Sequence, residues 1–390
     1  FRPVSSRTMA SSAWACAVCT YEHSPEQAEF LSCAVCGATR DTQASAEPPP
    51  LARKRPRRDE AKSARKKTWA SLLRQAPTGT PVTVRRHKGE KKARVEDSVL
   101  DSAEYPVFIR RNALPAPLAE RLLAALAEEA KSWQRHNWVV FNKTHVAPRT
   151  SCLYRGLRDD DDDDDPSVDT SPDRETRDFR EERVPASLAP VMREAADLVD
   201  ALVDVPGWRA TMVLANRYAN GDESVAKHSD FLGDLGPRAI VAGLSLGAER
   251  TFRVSSKEGD TVIDVPTPHN SLVVMKPGCQ EHFNHEIPKC ATAAIKAHAT
   301  AGTVRFSLTF RMERKDVQQH CGRQMCHCGK VCGLKSLGGK YFFFCNPAGA
   351  TAEAMCHFRK ACPWAEQDAL RLLRAEEDQR RRRKEAGRDL

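Results

Sequence analysis

Residues 239–246 read AIVAGLSL, an apolar run with the length of a single β-strand. Similar short runs follow Pro206, separated by Gly, Pro and Asn; they are Thr211–Ala215, Val262–Val265, Ser271–Met275 and Val304–Phe310. Short apolar runs divided by turn residues are typical of the strands of a sandwich or barrel. This part of the chain therefore predicts a domain dominated by β-structure.

Two stretches upstream of most of these runs have helical spacing instead. One carries leucines at helical intervals, namely Leu118, Leu122, Leu123 and Leu126. The other runs from Leu188 to Val203 and predicts a second helix. Helices that precede many short strands favour an α+β fold that is mainly β.

The composition limits the class of protein. The chain has 390 residues, which suggests two or three folded units. Its 61 Lys and Arg exceed its 52 Asp and Glu, and its hydrophobic share of 41% is low for continuous globular structure, so we expect disordered linkers. No stretch reaches the roughly 18 apolar residues of a membrane span, so we expect no membrane association. Because the chain opens with Phe1 rather than Met, we expect its natural start to lie upstream.

Charge is concentrated in two segments. Between Arg53 and Arg94 basic residues far outnumber acidic ones, and the pattern RKRPRR at 53–58 suits a nuclear import signal or a phosphate-binding arm. A plain solvated charge run explains the same residues equally well. The segment 158–183 is acidic and contains the run Asp159–Asp165. We expect both segments to be solvated and the protein to be nuclear.

Charge, cysteine and hydrophobic patterns divide the chain into five parts. A small cysteine finger spans 12–40, a basic disordered linker 41–100, and a large domain 101–316 with an acidic loop at 158–183. A second cysteine finger occupies 320–366, and a charged tail follows at 367–390. Cysteines in short-spaced pairs are typical of metal ligands in a reducing compartment.

Two histidines and an aspartate in the large domain are candidates for a metal site. His228 and Asp230 are two residues apart, so their side chains share one face of an extended strand. With His285 as a third ligand, two His and one carboxylate suit non-haem Fe(II) with positions left open for O2. Arg305, on a late strand, could clamp a dicarboxylate. On spacing alone, a hydrogen-bonded strand histidine and an arginine in a surface ion pair explain these residues equally well.

The neighbours of these four residues extend the pattern over most of 105–312. In chain order they are Val140–Lys143, Pro148–Arg149, Asn216–Tyr218, Lys227–Asp230, Ser245–Phe252, Asn270–Leu272, Asn284–Pro288 and Arg305–Arg311. This series resembles the AlkB-like family of Fe(II)/2-oxoglutarate-dependent dioxygenases. The resemblance implies a double-stranded β-helix (jelly-roll) core with flanking helices, which holds iron in its mouth.

The resemblance also implies a role for individual residues. The catalytic iron ligands would be His228, Asp230 and His285. The 2-oxoglutarate contacts would be Asn216, Tyr218, Arg305 and Arg311, with Arg305 on the distal carboxylate. Enzymes of this family use O2 to hydroxylate an N-alkyl group, and the alkyl group then leaves as an aldehyde while succinate and CO2 are formed.

Two features concern the substrate. Phe231 and Leu232 follow Asp230, where the DNA-repair members carry acidic residues that help to read the base, so the preferred base stays open. The turn that contains Phe141 resembles the wedge that fills the gap left by a flipped base, although a core Phe explains it equally well. The candidate substrate contacts of this domain are Phe141, Arg149 and Phe231.

The first finger has the spacing of a four-thiolate zinc ribbon, with Cys16, Cys19, Cys33 and Cys36 as ligands. About 25 residues bury too little apolar surface to fold alone, so zinc would supply the folding free energy. Together with Trp14, the spacing resembles the Ran-binding-protein (NZF) family of zinc fingers. One branch of that family binds ubiquitin, and its contact positions are occupied here by Thr20, Tyr21 and Val35. Another branch binds single-stranded RNA, but the Asn typical of that branch is absent.

The second finger resembles the GRF zinc finger, a family that grips single-stranded nucleic acid. Its candidate zinc ligands are Cys326, Cys328, Cys345 and Cys356, with Cys332, His357 and Cys362 as alternatives. The candidate nucleic-acid contacts are Tyr341 and Lys340, together with Phe342 and Arg359. For two of the four aromatic residues in Tyr341–Phe344 we expect a place in the small core of the finger instead.

These observations predict a nuclear, monomeric dioxygenase that dealkylates N-alkylated bases, as the DNA-repair members of the family do. Its cofactors would be Fe(II), 2-oxoglutarate, O2 and zinc at two sites. Its partners would be single-stranded or base-flipped nucleic acid and, through the first finger, ubiquitin. Two alternatives stay open: the same chemistry on methylated RNA or protein, and a catalytically silent adaptor that binds ubiquitin and nucleic acid.

Overall fold

The chain divides into two compact units, Phe1–Ser71 and Leu72–Leu390. The computed structural model describes residues 14–15, 22–23, 81–86, 93–135, 137–140, 143–157, 181–259, 261–321, 324–327, 329, 331–345 and 358–385. In the first unit, β1 (Trp14–Ala15) pairs antiparallel with β2 (Glu22–His23). Outside the described residues lie the predicted zinc ligands Cys16, Cys19, Cys33 and Cys36 and the predicted ubiquitin contacts Thr20, Tyr21 and Val35.

The second unit contains eighteen strands and five helices among its described residues. The strands before the second helix are β3 (Val82–Arg86), β4 (Ala93–Val95), β5 (Val107–Arg111), β6 (Asn137–Val140), β7 (Lys143–Val146), β8 (Thr150–Arg155) and β9 (Glu181–Arg183). The later strands are β10 (Met212–Tyr218), β11 (Val225–His228), β12 (Val241–Gly247), β13 (Arg250–Ser256), β14 (Thr261–Thr267), β15 (Ser271–Met275), β16 (Phe283–Ile287), β17 (Arg305–Arg311), β18 (Cys332–Leu337), β19 (Lys340–Cys345) and β20 (Arg359–Ala361). The helices are α1 (Ala116–Glu129), α2 (Ala189–Val203), α3 (Cys279–His282), α4 (Lys315–Cys321) and α5 (Pro363–Glu385), and single 3-10 turns lie at Asp97–Asp101 and Thr292–Ala294. Of the helices in the described ranges, none has the length and apolar character needed to cross a membrane.

Most strands belong to two large sheets. The major sheet has the order β5-β15-β12-β17-β10-β8-β9, and its neighbours are antiparallel except for β8 with β9. The minor sheet has the order β11-β16-β13-β14-β3-β4 and is antiparallel throughout. Because neighbours in each sheet come from distant parts of the chain, one site can combine residues from both halves of the domain.

The period-two alternation of the strands gives the major sheet two different faces. One face packs on α1 and α2 through Val213, Ala215, Ala242, Leu244, Leu246, Leu272, Val274, Phe306, Leu308 and Phe310. The helices meet it with apolar stripes that include Leu118, Leu122, Leu126, Met192 and Val199. The opposite face carries the polar residues of alternate positions, among them Asn216, Tyr218, Ser245, Arg305 and Arg311. The helix layer therefore leaves this polar face for a site.

The predicted mainly-β class with flanking helices is confirmed. Both predicted helices are present as α1 and α2, and the run at 239–246 becomes β12, which begins at Val241. The strands β13 and β16 were not predicted, because they carry many polar side chains and are held by strands on both edges.

Three predicted boundaries are wrong. Residues 82–86 and 93–95 join the minor sheet rather than a linker, because Val82 and Val84 of β3 are buried and β3 pairs with β14 and β4. The surrounding Arg and Lys residues masked that short apolar alternation. The break expected after residue 366 falls inside α5. The end of the predicted acidic loop forms β9, while residues 158–180 lie outside the described residues.

Candidate active site

The three predicted metal ligands come together where β11 and β16 pair. His228 and His285 are opposite each other in the ladder, and their ring centroids are 4.3 Å apart. Asp230 follows two residues after His228 and places its Oδ1 3.6 Å from the Nε2 atom of each histidine. The three ligand atoms all lie within 4.8 Å of one another. Two imidazole nitrogens and one carboxylate oxygen therefore surround a single point.

The Asp230 carboxylate is held so that one oxygen faces the histidines. Its Oδ2 accepts a hydrogen bond from Arg311 at 2.9 Å, and its backbone N–H donates to Gln280 Oε1 at 2.8 Å. Burial alone would raise the pKa of this carboxyl group, but the charge of Arg311 and the two imidazoles outweigh it and lower the pKa to about 2. Asp230 is therefore an anion at neutral pH, with Oδ1 directed at the metal position.

The two histidines are neutral at physiological pH, which is the form that binds metals. Burial lowers the pKa of His285 to about 3 and also lowers the pKa of His228. The His228 Nδ1 lies 2.8 Å from the Ala226 carbonyl, so a proton on Nδ1 makes that hydrogen bond and leaves the Nε2 lone pair for a cation. Phe252 stacks on His285 with ring centroids 5.6 Å apart and fixes its plane. This donor set in these protonation states fits Fe(II).

A buried guanidinium lies on the polar face of the major sheet. Arg305 is 2% exposed, and one terminal nitrogen donates to Ser245 Oγ at 2.8 Å. Its Nε and its other terminal nitrogen have no hydrogen-bond partner in the described part of the chain. Burial lowers the pKa of Arg305 to about 10, so it stays cationic at neutral pH. Unpaired donors on a buried cation suit an anionic partner such as the distal carboxylate of 2-oxoglutarate.

Two further predicted co-substrate contacts accompany Arg305. Tyr218 is its partner in the ladder of β10 and β17, and the guanidinium carbon lies 5.3 Å from the Tyr218 ring centroid. Asn216 is buried, and its Oδ1 accepts a hydrogen bond from Arg149 Nε at 2.8 Å. Arg149 also donates to the Ser224 carbonyl at 3.4 Å. Arg149 therefore positions Asn216, and the Asn216 amide nitrogen is left as the group able to donate to a ligand.

Arg311 contacts the metal ligand Asp230, and its contact with 2-oxoglutarate stays a prediction. One sequence-based assignment needs correction. Tyr341 was predicted to contact nucleic acid, but it is 2% exposed and its hydroxyl donates to Glu281 Oε1 at 2.9 Å. The alternation of β19 explains this burial, because it turns Tyr341 and Phe343 inward and Phe342 outward. Two aromatic residues of this run are thus core residues, as the sequence predicted.

The other predicted substrate contacts differ in their surroundings. Phe231 follows Asp230 and keeps 48% of its surface exposed. Lys340 is exposed at the start of β19. Phe141 lies outside the described residues, between β6 and β7, which pair as a hairpin.

The predicted ligands of the second finger are only partly described. Cys326 and Cys345 are buried, while Cys328, Cys356 and His357 lie outside the described residues. The alternative ligand Cys362 has its Sγ 3.6 Å from the Sγ of Cys321, a cysteine that the spacing argument missed. Within the described ranges, no group of three neighbouring metal-ligand side chains includes a cysteine.

A second group of two histidines and one carboxylate was not predicted. Glu120 Oε1 lies 3.6 Å from His269 Nε2 and 3.5 Å from His298 Nε2. The Nδ1 atoms, however, accept hydrogen bonds from backbone N–H groups of Gly247 and Thr300. A neutral imidazole with that contact carries its proton on Nε2, so both rings present N–H groups to Glu120 rather than lone pairs to a metal. This cluster is suited to hydrogen bonding between α1 and two loops.

Comparison with known proteins identifies a family match within the large domain. Residues 106–311 match the model of the 2OG-Fe(II) oxygenase superfamily. The DNA oxidative demethylase ALKBH2 of Mus musculus is 30% identical over 135 residues, which cover 33% of this chain and 52% of that protein. The alpha-ketoglutarate-dependent dioxygenase alkB homolog 3 of Homo sapiens is 32% identical over 109 residues, which cover 26% of this chain and 37% of that protein. The chain thus spans about half or less of the length of these curated relatives.

A solved prolyl hydroxylase from Trichoplax adhaerens, in complex with a hypoxia inducible factor peptide fragment, aligns with 58% of this chain and 91% of that chain. The TM-score of 0.38 and the identity of 11% are too low to carry an argument. The family model, by contrast, spans more than half of the chain and includes all four residues of the metal and guanidinium pattern, from His228 to Arg305. The chain therefore belongs to the 2OG-Fe(II) oxygenase superfamily, the class of 2-oxoglutarate-dependent dioxygenases.

Proposed function

We propose that this protein is an AlkB-like dioxygenase that removes alkyl groups from the nitrogen atoms of bases in nucleic acid, in the manner of a DNA-repair enzyme. The observation that carries the proposal is the convergence of His228 Nε2, Asp230 Oδ1 and His285 Nε2 in metal-binding protonation states. When bound, Fe(II) and 2-oxoglutarate supply the oxidising power for hydroxylation by O2, with succinate, CO2 and an aldehyde as products.

The protein residues contribute position and charge to this reaction. His228, Asp230 and His285 would hold the metal from one side and leave its other side for the co-substrate and O2. Arg311 keeps Asp230 ionised and turns Oδ1 toward the metal position. Arg305 would hold the distal carboxylate of 2-oxoglutarate with N–H groups that have no partner in the described part of the chain.

The names of the relatives support a nucleic-acid substrate, since ALKBH2 is described as a DNA oxidative demethylase. An alkyl group on the pairing edge of a base is reachable only when that base is unstacked, so we infer a single-stranded or flipped substrate. Phe231 directly follows the metal ligand Asp230 and is half exposed, which suits contact with a strand bound beside the metal site.

For the remaining chain we propose the following organisation. The two sheets form the double-stranded β-helix that the family implies. A zinc ion at Cys16, Cys19, Cys33 and Cys36 folds residues 12–40 as an NZF finger that binds ubiquitin through Thr20, Tyr21 and Val35. A second zinc ion binds Cys326, Cys328 and Cys345, with Cys356 or Cys362 as its fourth ligand. The basic segment around 53–58 directs a monomeric protein to the nucleus.

The test is turnover by the purified protein with Fe(II), 2-oxoglutarate and single strands that carry an N-methyl group on different bases, as DNA and as RNA. We expect succinate and formaldehyde in equal amounts. The variant Asp230→Asn should lose both products and its iron, whereas Asp222→Asn, an exposed aspartate, should keep them.

Other outcomes identify the alternatives. Succinate without formaldehyde on every strand would show that the substrate is of another class, such as a protein side chain. A protein that takes up no Fe(II) at all would be the silent adaptor, and the proposed chemistry would be refuted.

A further inference from the structure

The three-stranded sheet β18-β19-β20 has two faces of different character. The residues of one face are buried, among them Leu334, Ser336, Tyr341 and Phe343. On the other face Lys335 is paired with Phe342, and Phe344 is paired with both Gly333 and Arg359. We call the set Gly333, Lys335, Phe342, Phe344 and Arg359 the open face. It presents aromatic rings and cations together.

The open face ends at the loop that carries the metal ligand Asp230. Phe231 of that loop stacks on Phe344, with ring centroids 5.6 Å apart and an angle of 27° between the ring planes. Phe344 lies over Gly333, where a Cβ atom would come within 2.9 Å of the Phe344 ring, so the glycine makes space for this pair. Phe231 directly follows the metal ligand Asp230 and is still 48% exposed, so the ring pair is accessible beside that ligand in the chain.

A lysine completes this ring pair. The Lys335 Nζ lies 4.8 Å from the ring centroid of Phe231 and 5.2 Å from that of Phe344. Burial lowers the pKa of Lys335, and no carboxylate in the described ranges offsets that effect. Arg359 lies over the Phe342 ring at 5.3 Å, farther along the same face. The open face therefore combines apolar stacking surfaces with positive charge.

Hydrogen bonds hold the sheet against the metal site. The backbone N–H of Leu232 donates to the Leu334 carbonyl at 2.9 Å. Lys257 Nζ donates to the Ser336 carbonyl at 3.1 Å and to the Gln280 carbonyl at 2.6 Å. Gln280 is also the residue whose side chain accepts the backbone N–H of the aspartate ligand. The position of the open face relative to the metal ligands is thus set by direct contacts.

We propose that Phe231, Phe344 and Lys335 form a composite subsite for the nucleotide next to the alkylated one in a single-stranded nucleic acid. This inference rests on the proposed function and makes the C-terminal sheet part of the active-site rim. The base of that nucleotide packs on the exposed side of Phe231, and its phosphate meets the ammonium group of Lys335. Phe342 and Arg359 receive the nucleotide that follows.

The chemistry of the open face favours this ligand. Every base has a π-face that can stack on an aromatic ring, and every phosphate carries the negative charge that a lysine attracts. Phe231 is itself uncharged, so this side chain adds no repulsion toward the phosphate. The subsite recognises neighbouring nucleotides without reading their sequence.

The experiment compares a methylated strand of about six nucleotides with the methylated mononucleoside, which has no neighbour to occupy the subsite. The variants are Lys335→Gln and Phe344→Leu, with Lys131→Gln beyond α1 as the matched loss of one exposed lysine. We expect each subsite variant to raise the KM for the strand about tenfold and to leave the KM for the mononucleoside unchanged. The control should match the wild type on both substrates.

Fluorescence anisotropy with an unmodified labelled strand measures the subsite without catalysis. We expect the Kd of both subsite variants to rise by about the same factor as their KM. Unchanged KM and Kd in both variants, in protein that melts like the wild type, would overturn the proposal, as would an equal rise for the mononucleoside. If the wild type yields no aldehyde from any nucleic acid, the proposed function fails, and the anisotropy comparison alone decides the subsite.

Discussion

Replacing Arg305 by methionine should weaken co-substrate binding and strengthen the fold at the same time. The side chain is 2% exposed and keeps two N–H groups without a partner in the described part of the chain. Each charge-assisted hydrogen bond to a carboxylate is worth about 1.5–3 kcal/mol. Losing two of them should cost about 3–6 kcal/mol of binding free energy. The affinity for 2-oxoglutarate should therefore fall roughly 10²- to 10⁴-fold.

The stability of the ligand-free protein should change in the opposite direction. A buried cation with two unsatisfied donors destabilises the folded state, because those donors have lost their hydrogen bonds to water. An apolar side chain of similar length removes that cost, so the free energy of unfolding should rise by on the order of 1–3 kcal/mol. Urea denaturation without co-substrate measures this gain.

Calorimetric titration of 2-oxoglutarate into the anaerobic, Fe(II)-loaded protein measures the loss of affinity. Arg305→Lys is the matched control, since it keeps the charge but not the forked pair of donors, and it should fall between the other two proteins. Pyruvate lacks the distal carboxylate and should bind wild type and Arg305→Met equally weakly. If the Arg305→Met variant binds 2-oxoglutarate with an affinity within threefold of the wild type, the role assigned to Arg305 is refuted.

Four other changes test separate parts of the structure. His285 is neutral in the folded protein because burial lowers its pKa to about 3, while in the unfolded chain it takes up a proton near pH 6.5. The free energy of unfolding of the metal-free protein should therefore decrease as the pH falls below 6.5. Urea titrations should show a smaller decrease for His285→Phe. Tyr341→Phe removes the hydrogen bond to Glu281 and should lower the free energy of unfolding by about 1–3 kcal/mol, with no change in single-strand affinity by anisotropy. Leu122→Ala opens a cavity between α1 and the major sheet and should cost about 2–5 kcal/mol in thermal or urea denaturation; a cost below 1 kcal/mol would contradict that packing. Tyr21→Ala should abolish ubiquitin binding while the finger keeps its zinc by metal analysis, and unchanged ubiquitin affinity would remove the ubiquitin proposal.

Local patterns were sufficient for four of the seven strands of the major sheet, for β14 of the minor sheet and for α1 and α2. The apolar runs that became β10, β12, β14, β15 and β17 are recognisable because each carries several buried apolar side chains. The sequence patterns did not predict β3, β13 and β16, because these strands depend on main-chain hydrogen bonds with neighbouring strands. A sequence pattern shows the order of side chains but does not show which strand will be the hydrogen-bonded neighbour.

The partners of charged residues could not be predicted for a similar reason. Arg311 lies on the same strand as Arg305, and both face the polar side of the major sheet. Only the approach of the minor sheet decides that Arg311 meets Asp230 while Arg305 stays buried with two unpaired donors. Gln280 shows the same dependence, because its contact with the backbone of Asp230 spans 50 positions of the chain.

The sequence by itself determined the chemical identity of the site: which side chains can bind a metal, which cation can hold a carboxylate, and which runs form strands. Those are properties of single residues and of their spacing, so they can be recognised before the fold is known. Tertiary structure alone decided which oxygen of Asp230 faces the histidines, that Tyr341 is a core residue, and that Phe231 stacks on a ring more than one hundred positions away. The physical reason is that charge pairing, desolvation and ring stacking act over a few ångströms through space, and the fold sets those distances.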